Sequence, residues 1–191
     1  GKLSLKIDEK NDLWVDGFYS SQIYQNDDNR LGTLDWTTIP RGSKVLGATG
    51  YKDEFEFNRT QFSAGHEGNY DFGLWKSYVS HTTTETVGRT IPFNTFQNNS
   101  YEGQDRTLET TDLVVDTHVV LPIANHKLTL GAEYKDSEVA DDIAGIGSTF
   151  SKDSMSFYAE NEWSILDNLN LTLGGRYEDH SGFGGHFSPR A

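Results

Sequence analysis

Cysteine is absent from the 191 residues, which rules out disulfides, thiolate zinc sites and cysteine nucleophiles. Proline is scarce, at 4. Apolar residues make up only 35% of the chain, thin provision for a two-layer core at this length. No run approaches the ~18 consecutive apolar residues of a membrane helix, so helical membrane proteins are excluded. A transmembrane β-barrel is not excluded, because its alternating strands carry a much weaker hydropathy signal. Basic residues are in the minority: 16 Lys and Arg stand against 29 Asp and Glu, for a formal charge of −13. That balance argues against a nucleic-acid partner, which needs a basic face. The opening Gly1-Lys2-Leu3-Ser4 reads as a strand, not as the basic and then apolar start of a signal peptide.

What is plentiful suits strands and turns. There are 19 glycines, and aromatics reach 13%, with nine Tyr and eleven Phe. Apolar and polar residues alternate with period two, and no helical period is sustained. The clearest strands cover residues 2–8, 13–25, 58–66, 72–87, 107–121, 127–139, 153–165 and 169–178. Met155, Phe157, Ala159, Trp163 and Ile165 share one face, with Ser156, Tyr158, Glu160, Glu162 and Ser164 on the other. The fold class expected is all-β, an antiparallel meander of about eight long strands.

The connections are unequal. Short turns fall at residues 10–12, 67–70, 124–126 and 167–168, and long polar segments at 26–57, 88–106 and 140–152. Short and long alternate, which in a meander puts all turns at one end and all loops at the other. A soluble sandwich has strands of about five or six residues and no such difference between its ends. Outer-membrane barrels pair short periplasmic turns with longer extracellular loops. Trp14, Trp75 and Trp163 each lie near a short turn, where an aromatic girdle would sit. Trp163 has lipid-facing parity, whereas Trp14 shares parity with Asp16, so either a bulge intervenes or Trp14 points inward.

The inward set then includes Lys6, Asp8, Asp112, Asp116, His118, Glu133, Lys135, Glu160, Glu162, Arg176 and Glu178. Charge at this density must be paired or wetted, which favours a wide lumen over a small, self-filled barrel. Catalytic patterns are hard to find. Ser, His and Asp occur without a G-x-S-x-G nucleophile elbow. Gly145-Ile146-Gly147-Ser148-Thr149 lacks the lysine of a phosphate loop and sits between strands. Asp179, His180 and His186 frame a glycine-rich turn, but spacing supplies no metal-ligand set, and Asp179 and Ser181 suit the turn itself. Neither a metal, a cofactor nor an enzymatic activity is expected.

Three stretches carry a family resemblance. FYAENEW at 157–163, LNLTLGGRYEDHSGFGGHFSPRA at 169–191 and RTQFSAGHEGNYDFG at 59–73 resemble the TonB-dependent outer-membrane receptors. The branch they resemble is that of the catecholate siderophore receptors, which includes the enterobactin and colicin I receptors. The resemblance implies a barrel of about 22 strands around an N-terminal plug, in the outer membrane of a Gram-negative bacterium. It implies uptake of a ferric siderophore driven by the TonB complex through the plug, with outer-membrane lipid and colicins as further partners. Against that pattern, residues 1–191 read as a partial barrel domain, without plug, TonB box or C-terminal closing strand, and with pairing expected to stop at the final turn. The alternative class is a passive porin or adhesin-like barrel, with a barrel-borne hydrolase a third possibility. A bulky aromatic iron chelate calls for arginines to meet its charge and rings to stack on it. The long loops supply Arg30, Trp36, Arg41 and Tyr51, then Arg89, Phe93, Phe96, Tyr101 and Arg106. Asp105, beside Arg106, is a competing partner for that guanidinium.

Overall fold

The computed structural model describes residues 1–25, 54–90, 105–141 and 148–190, all within a single antiparallel sheet. Its strands are β1 (Lys2–Lys6), β2 (Asn11–Gln25), β3 (Glu54–Tyr70), β4 (Gly73–Thr90), β5 (Asp105–Ile123), β6 (His126–Asp141), β7 (Ser148–Leu166), β8 (Leu169–His180) and β9 (Gly184–Arg190). Among the described residues each pairs only with its neighbours in sequence, so the meander holds and no strand crosses over. From β2 to β7 the strands run 15 to 19 residues, beyond the ~9–11 that a tilted strand needs to cross a bilayer.

Two features differ from the sequence reading. Pairing does not stop at the final turn: β9 pairs with the upper half of β8, from Gly174↔Arg190 to His180↔Gly184. Gly184, Gly185 and Pro189 hide its alternation, and Pro189 is tolerated because β9 is an edge strand among the described residues. This hairpin closes through residues 181–183 at the loop end, so the strict alternation of short and long connections fails there. Ser181 holds the turn against β7, its amide and hydroxyl both donating to the Asp153 carbonyl. Most strands also run further than expected, β7 starting at Ser148 rather than 153 and β3 continuing through the expected turn to Tyr70, whereas β1 ends at Lys6 rather than at residue 8. Backbone pairing continues where hydrophobic alternation has given out.

Register makes the two faces explicit. One row runs Leu5, Leu13, His66, Ser77, Thr117, Ala132, Phe157, Tyr177 and Phe187, and a second Leu3, Val15, Ala64, Val79, Val115, Tyr134 and Met155. Their large side chains stand exposed, Leu3 at 69% and Phe187 at 59%. Opposite lies the row Ser4, Trp14, Gly65, Tyr78, Asp116, Glu133, Ser156, Glu178 and His186. The buried polar residues Asp116, Ser154 and Ser156 all lie on this polar face. Side chains crowd on one side and stand free on the other, as in a sheet curved toward its polar face.

The tryptophans sort accordingly. Trp163 is outward and stacks on His126 at 5.4 Å, and Trp75 meets His66 edge-on at 6.2 Å. Trp14 points inward with no bulge near it, lying so close over Gly65 that a Cβ there would sit 2.4 Å from its ring. The inward charged set is as the parity predicts except for Asp8. That residue lies in the β1–β2 turn, where its carboxylate accepts from the Lys10 amide at 2.8 Å and the Asn11 amide at 2.9 Å.

Lipid contact on one face yields a first expectation. Leu130→Arg, on the exposed apolar face, should cost about 2–4 kcal/mol near the bilayer midplane. Thr129→Arg, one residue away on the polar face, should cost far less. Urea titration of the refolded protein in lipid vesicles would measure both, and equal losses would contradict the facing.

The turns yield a second. Lys10 Nζ bonds Asp71 at 2.8 Å, tying the β1–β2 turn to the β3–β4 turn. The hydrogen bond and charge of Lys10 hold the Asp71 carboxyl below its ordinary range, and the reciprocal contact raises Lys10. A lowered acid stabilises above its unfolded value of about pH 4 and loses that contribution as pH falls through the folded value. A raised base stabilises below about pH 10 and loses it on further rise, so the pair contributes evenly between these limits. Carboxylate NMR should show Asp71 returning to the ordinary range in Lys10→Met, and an unmoved titration would remove the ion pair.

Candidate functional site

Alternation places charged residues of β5–β8 side by side on the polar face, and register decides which meet. Asp116 is only 5% exposed, and a carboxylate this buried must be satisfied by hydrogen bonds or a counter-charge. The Tyr158 hydroxyl donates to its Oδ2 at 3.0 Å, and His118 Nδ1 bonds its Oδ1 at 2.9 Å. Tyr158 reaches across because Gly131 lies opposite it, where a Cβ would sit 2.2 Å from the phenol ring.

Arg176 organises the next group. It bonds Glu133 at 2.5 Å and approaches Glu178 at 3.6 Å, while its guanidinium stands 5.9 Å over the Tyr158 ring. Glu178 also meets His180 at 3.0 Å. Arg190 pairs with Glu160 at 2.7 Å, Lys127 with Glu162 at 3.2 Å and Lys135 with Asp112 at 3.3 Å. Of these groups, Asp116, Glu133, Tyr158, Glu160, Arg176 and Arg190 line a concavity of about 520 Å³. Ser156, between Glu133 and Glu178 in register, is buried, and its hydroxyl has no hydrogen-bond partner among the described residues. Fixed donors and acceptors of both signs make this wall suited to hydrogen-bonding a polar surface. A second concavity, of about 460 Å³, lies on β2–β5 beside Trp14, Arg59 and Tyr78.

Of the loop residues proposed for ligand contact, Arg30, Trp36, Arg41, Tyr51, Phe93, Phe96 and Tyr101 lie outside the described residues. Arg89 and Arg106 fall at the loop ends of β4 and β5, where a bulge after Thr86 brings them opposite one another in register. Asp179, His180 and His186 do not form a metal-binding group, and none of three or more ligands occurs among the described residues. Of the phosphate-loop-like stretch, residues 145–147 lie outside the described residues, while Ser148 and Thr149 open β7. Arg59 and Tyr78 went unremarked in the sequence. The signal was there in parity, since Arg59, Gln61 and Ser63 share a face on which no acid follows until Glu67.

A long-stranded meander, apolar outside and charge-paired inside, is the wall of an outer-membrane β-barrel. Comparison with known proteins makes this specific. Residues 4–191 match the family model "TonB dependent receptor-like, beta-barrel", and the chain belongs to that family. It is 22% identical to the iron-regulated outer membrane virulence protein of Vibrio cholerae, across 99% of this chain and 26% of that protein. The ferric enterobactin receptor of Pseudomonas aeruginosa superposes with a TM-score of 0.77 at 20% identity, over 98% of this chain and 29% of that one. A siderophore receptor of Acinetobacter baumannii does so with a TM-score of 0.68 at 20% identity, with the same coverage. The chain thus spans about a quarter of its curated relative and is an outer-membrane protein, of a family of receptor barrels.

Tyr158→Phe should leave Asp116 with one hydrogen-bond partner fewer and cost about 1–3 kcal/mol. The urea midpoint of the folded band on semi-native gels would read the loss, and no shift would mean that water replaces the phenol freely.

Proposed function

We propose that this chain forms part of the barrel of a receptor that takes up a ferric siderophore, with a catecholate as the ligand class. The barrel is one of about 22 strands enclosing a plug, through which the TonB complex drives uptake. Family membership over residues 4–191 carries the reading, supported by neighbours described as receptors for ferric enterobactin and other siderophores. The wall's paired charges fit a polar body held inside the barrel. The outer loops capture the ligand, with Arg30, Arg41, Arg89 and Arg106 meeting its charge and Trp36, Tyr51, Phe93, Phe96 and Tyr101 its rings. Colicins are further partners on this reading, by the same likeness to the colicin I receptor branch.

The test uses the full-length protein. Replacing Arg41, Arg89 and Arg106 together by Ala should weaken binding of a ferric catecholate about a hundredfold or more, since charge-assisted bonds are lost. Unchanged affinity in a correctly inserted triple variant would remove these loops from the site. Tight binding of haem or cobalamin instead would refute the ligand class. Uptake that survives collapse of the proton-motive force would favour a passive porin.

A further inference from the structure

Two of the described histidines stand on the outer, lipid-facing side near the short turns, each beside a tryptophan and each held by an asparagine. Their hydrogen bonds differ in sense. Asn11 turns its amide NH2 to the Asp8 carboxylate and its Oδ1 to His66, so His66 Nε2 must donate, at 2.9 Å. A neutral His66 has spent its one N–H on that bond. At His126 the amide is reversed. Asn161 Nδ2 lies 3.1 Å from His126 Nδ1, which must therefore accept. A neutral His126 then carries its proton on Nε2, and that N–H meets no partner among the described residues.

The surroundings of this free N–H are layered. His126 is level with Trp163, with the two rings nearly parallel at 5.4 Å, so the stack and the Asn161 bond together fix the imidazole. Away from the turn, the same face presents Leu128, Leu130 and Leu173. Toward the turn, between β7 and β8, stands Asp167, exposed and without an ion-pair partner among the described residues. Lys127, next to His126 in sequence, faces inward and is held by Glu162 at 3.2 Å. The neighbouring turn is tied in place, since the Asn125 carbonyl accepts from the Ser164 amide at 2.8 Å. Apolar field, N–H donor beside an interfacial ring, and carboxylate thus follow in order toward the periplasmic end.

A phospholipid with a primary-amine headgroup has the same order: acyl chains, phosphodiester, ammonium. We propose that His126, Trp163 and Asp167 form a docking site on the outer wall for one such lipid, a phosphoethanolamine phospholipid of the periplasmic leaflet. His126 Nε2–H donates to a phosphate oxygen, the leucines carry the acyl chains, and Asp167 accepts from the ammonium. A headgroup with a phosphate but no amine would set its charge toward Asp167 with nothing to offset it. A trimethylated amine would offer that carboxylate no N–H. The site depends on the outer-membrane placement of this wall and not on which ligand the receptor takes up.

The experiment uses the full-length receptor, equilibrated in detergent micelles with phosphatidylethanolamine, phosphatidylglycerol and phosphatidylcholine of equal chain length, and read by native mass spectrometry. Retention of phosphatidylethanolamine is expected about tenfold or more above the other two. His126→Phe, which keeps a ring on Trp163 but loses the N–H, should lower that retention about tenfold. His66→Phe, which removes a histidine with no free N–H, should leave it unchanged. Asp167→Asn, in an exposed turn, should narrow the preference over phosphatidylglycerol. Heat-modifiable gel mobility verifies that each variant is folded. Equal retention of the three lipids, unchanged retention in a folded His126→Phe, or an equal loss in His66→Phe overturns the site. Displacement of the lipid by excess inorganic phosphate would assign the donor to free phosphate and overturn the lipid as occupant.

Discussion

Inside a bilayer every backbone N–H and C=O must find a partner within the protein, and that requirement governs this molecule. Strands satisfy it through their neighbours, so each strand depends on the one before and the one after. The simplest order that pairs every strand is the meander seen from β1 to β9. Pairing fixes register, register fixes which residues share a row, and period-two geometry then assigns each row to lipid or to the interior. A one-residue slip would drive Asp116 and Glu133 into lipid, a cost of several kcal/mol that specifies the register.

The interior face meets a different problem. Here carboxylates and cations are packed closely enough that Asp116 and Ser156 lose contact with water. Ion pairs that link neighbouring strands, such as the exposed pair Lys127–Glu162, act as local checks on register. Glycine has the complementary part. Where Gly65 and Gly131 leave room, a ring from the adjacent strand lies over the backbone, which brings Trp14 and Tyr158 to their places.

How far this could be read from sequence depended on whether a feature was periodic. Strands β5 to β8 were legible because Val, Leu and Tyr alternate with acids and threonines over many residues. The stretch 184–190 was not, since glycine and proline carry no facing signal although their backbone still pairs. Trp14 was undecidable alone: its inward position follows from Gly65, 51 positions away in sequence and adjacent only once register is known. The ion pairs were legible as a set but not as partners, for the same reason. The surroundings of a strand residue such as Arg59 are likewise illegible in linear order, because its neighbours across strands appear only once register is known. The loop residues show no period at all, so they were chosen by residue type alone.

The strand lengths also set a height. A strand of 19 residues such as β5 spans about 60 Å and, tilted by about 40°, rises roughly 45 Å, against an apolar band of about 25 Å. Trp75 and Trp163 lie close to the turns, so the surplus falls at the opposite end. On the outer face of that end the apolar rows give way to Asp136, Asp153 and Asp179. The sheet therefore stands as a stiff collar some 20 Å clear of the hydrocarbon, and the loops start from its rim rather than from the membrane surface. A ligand meeting those loops is held at arm's length from the lipid, with an ordered wall already beneath it.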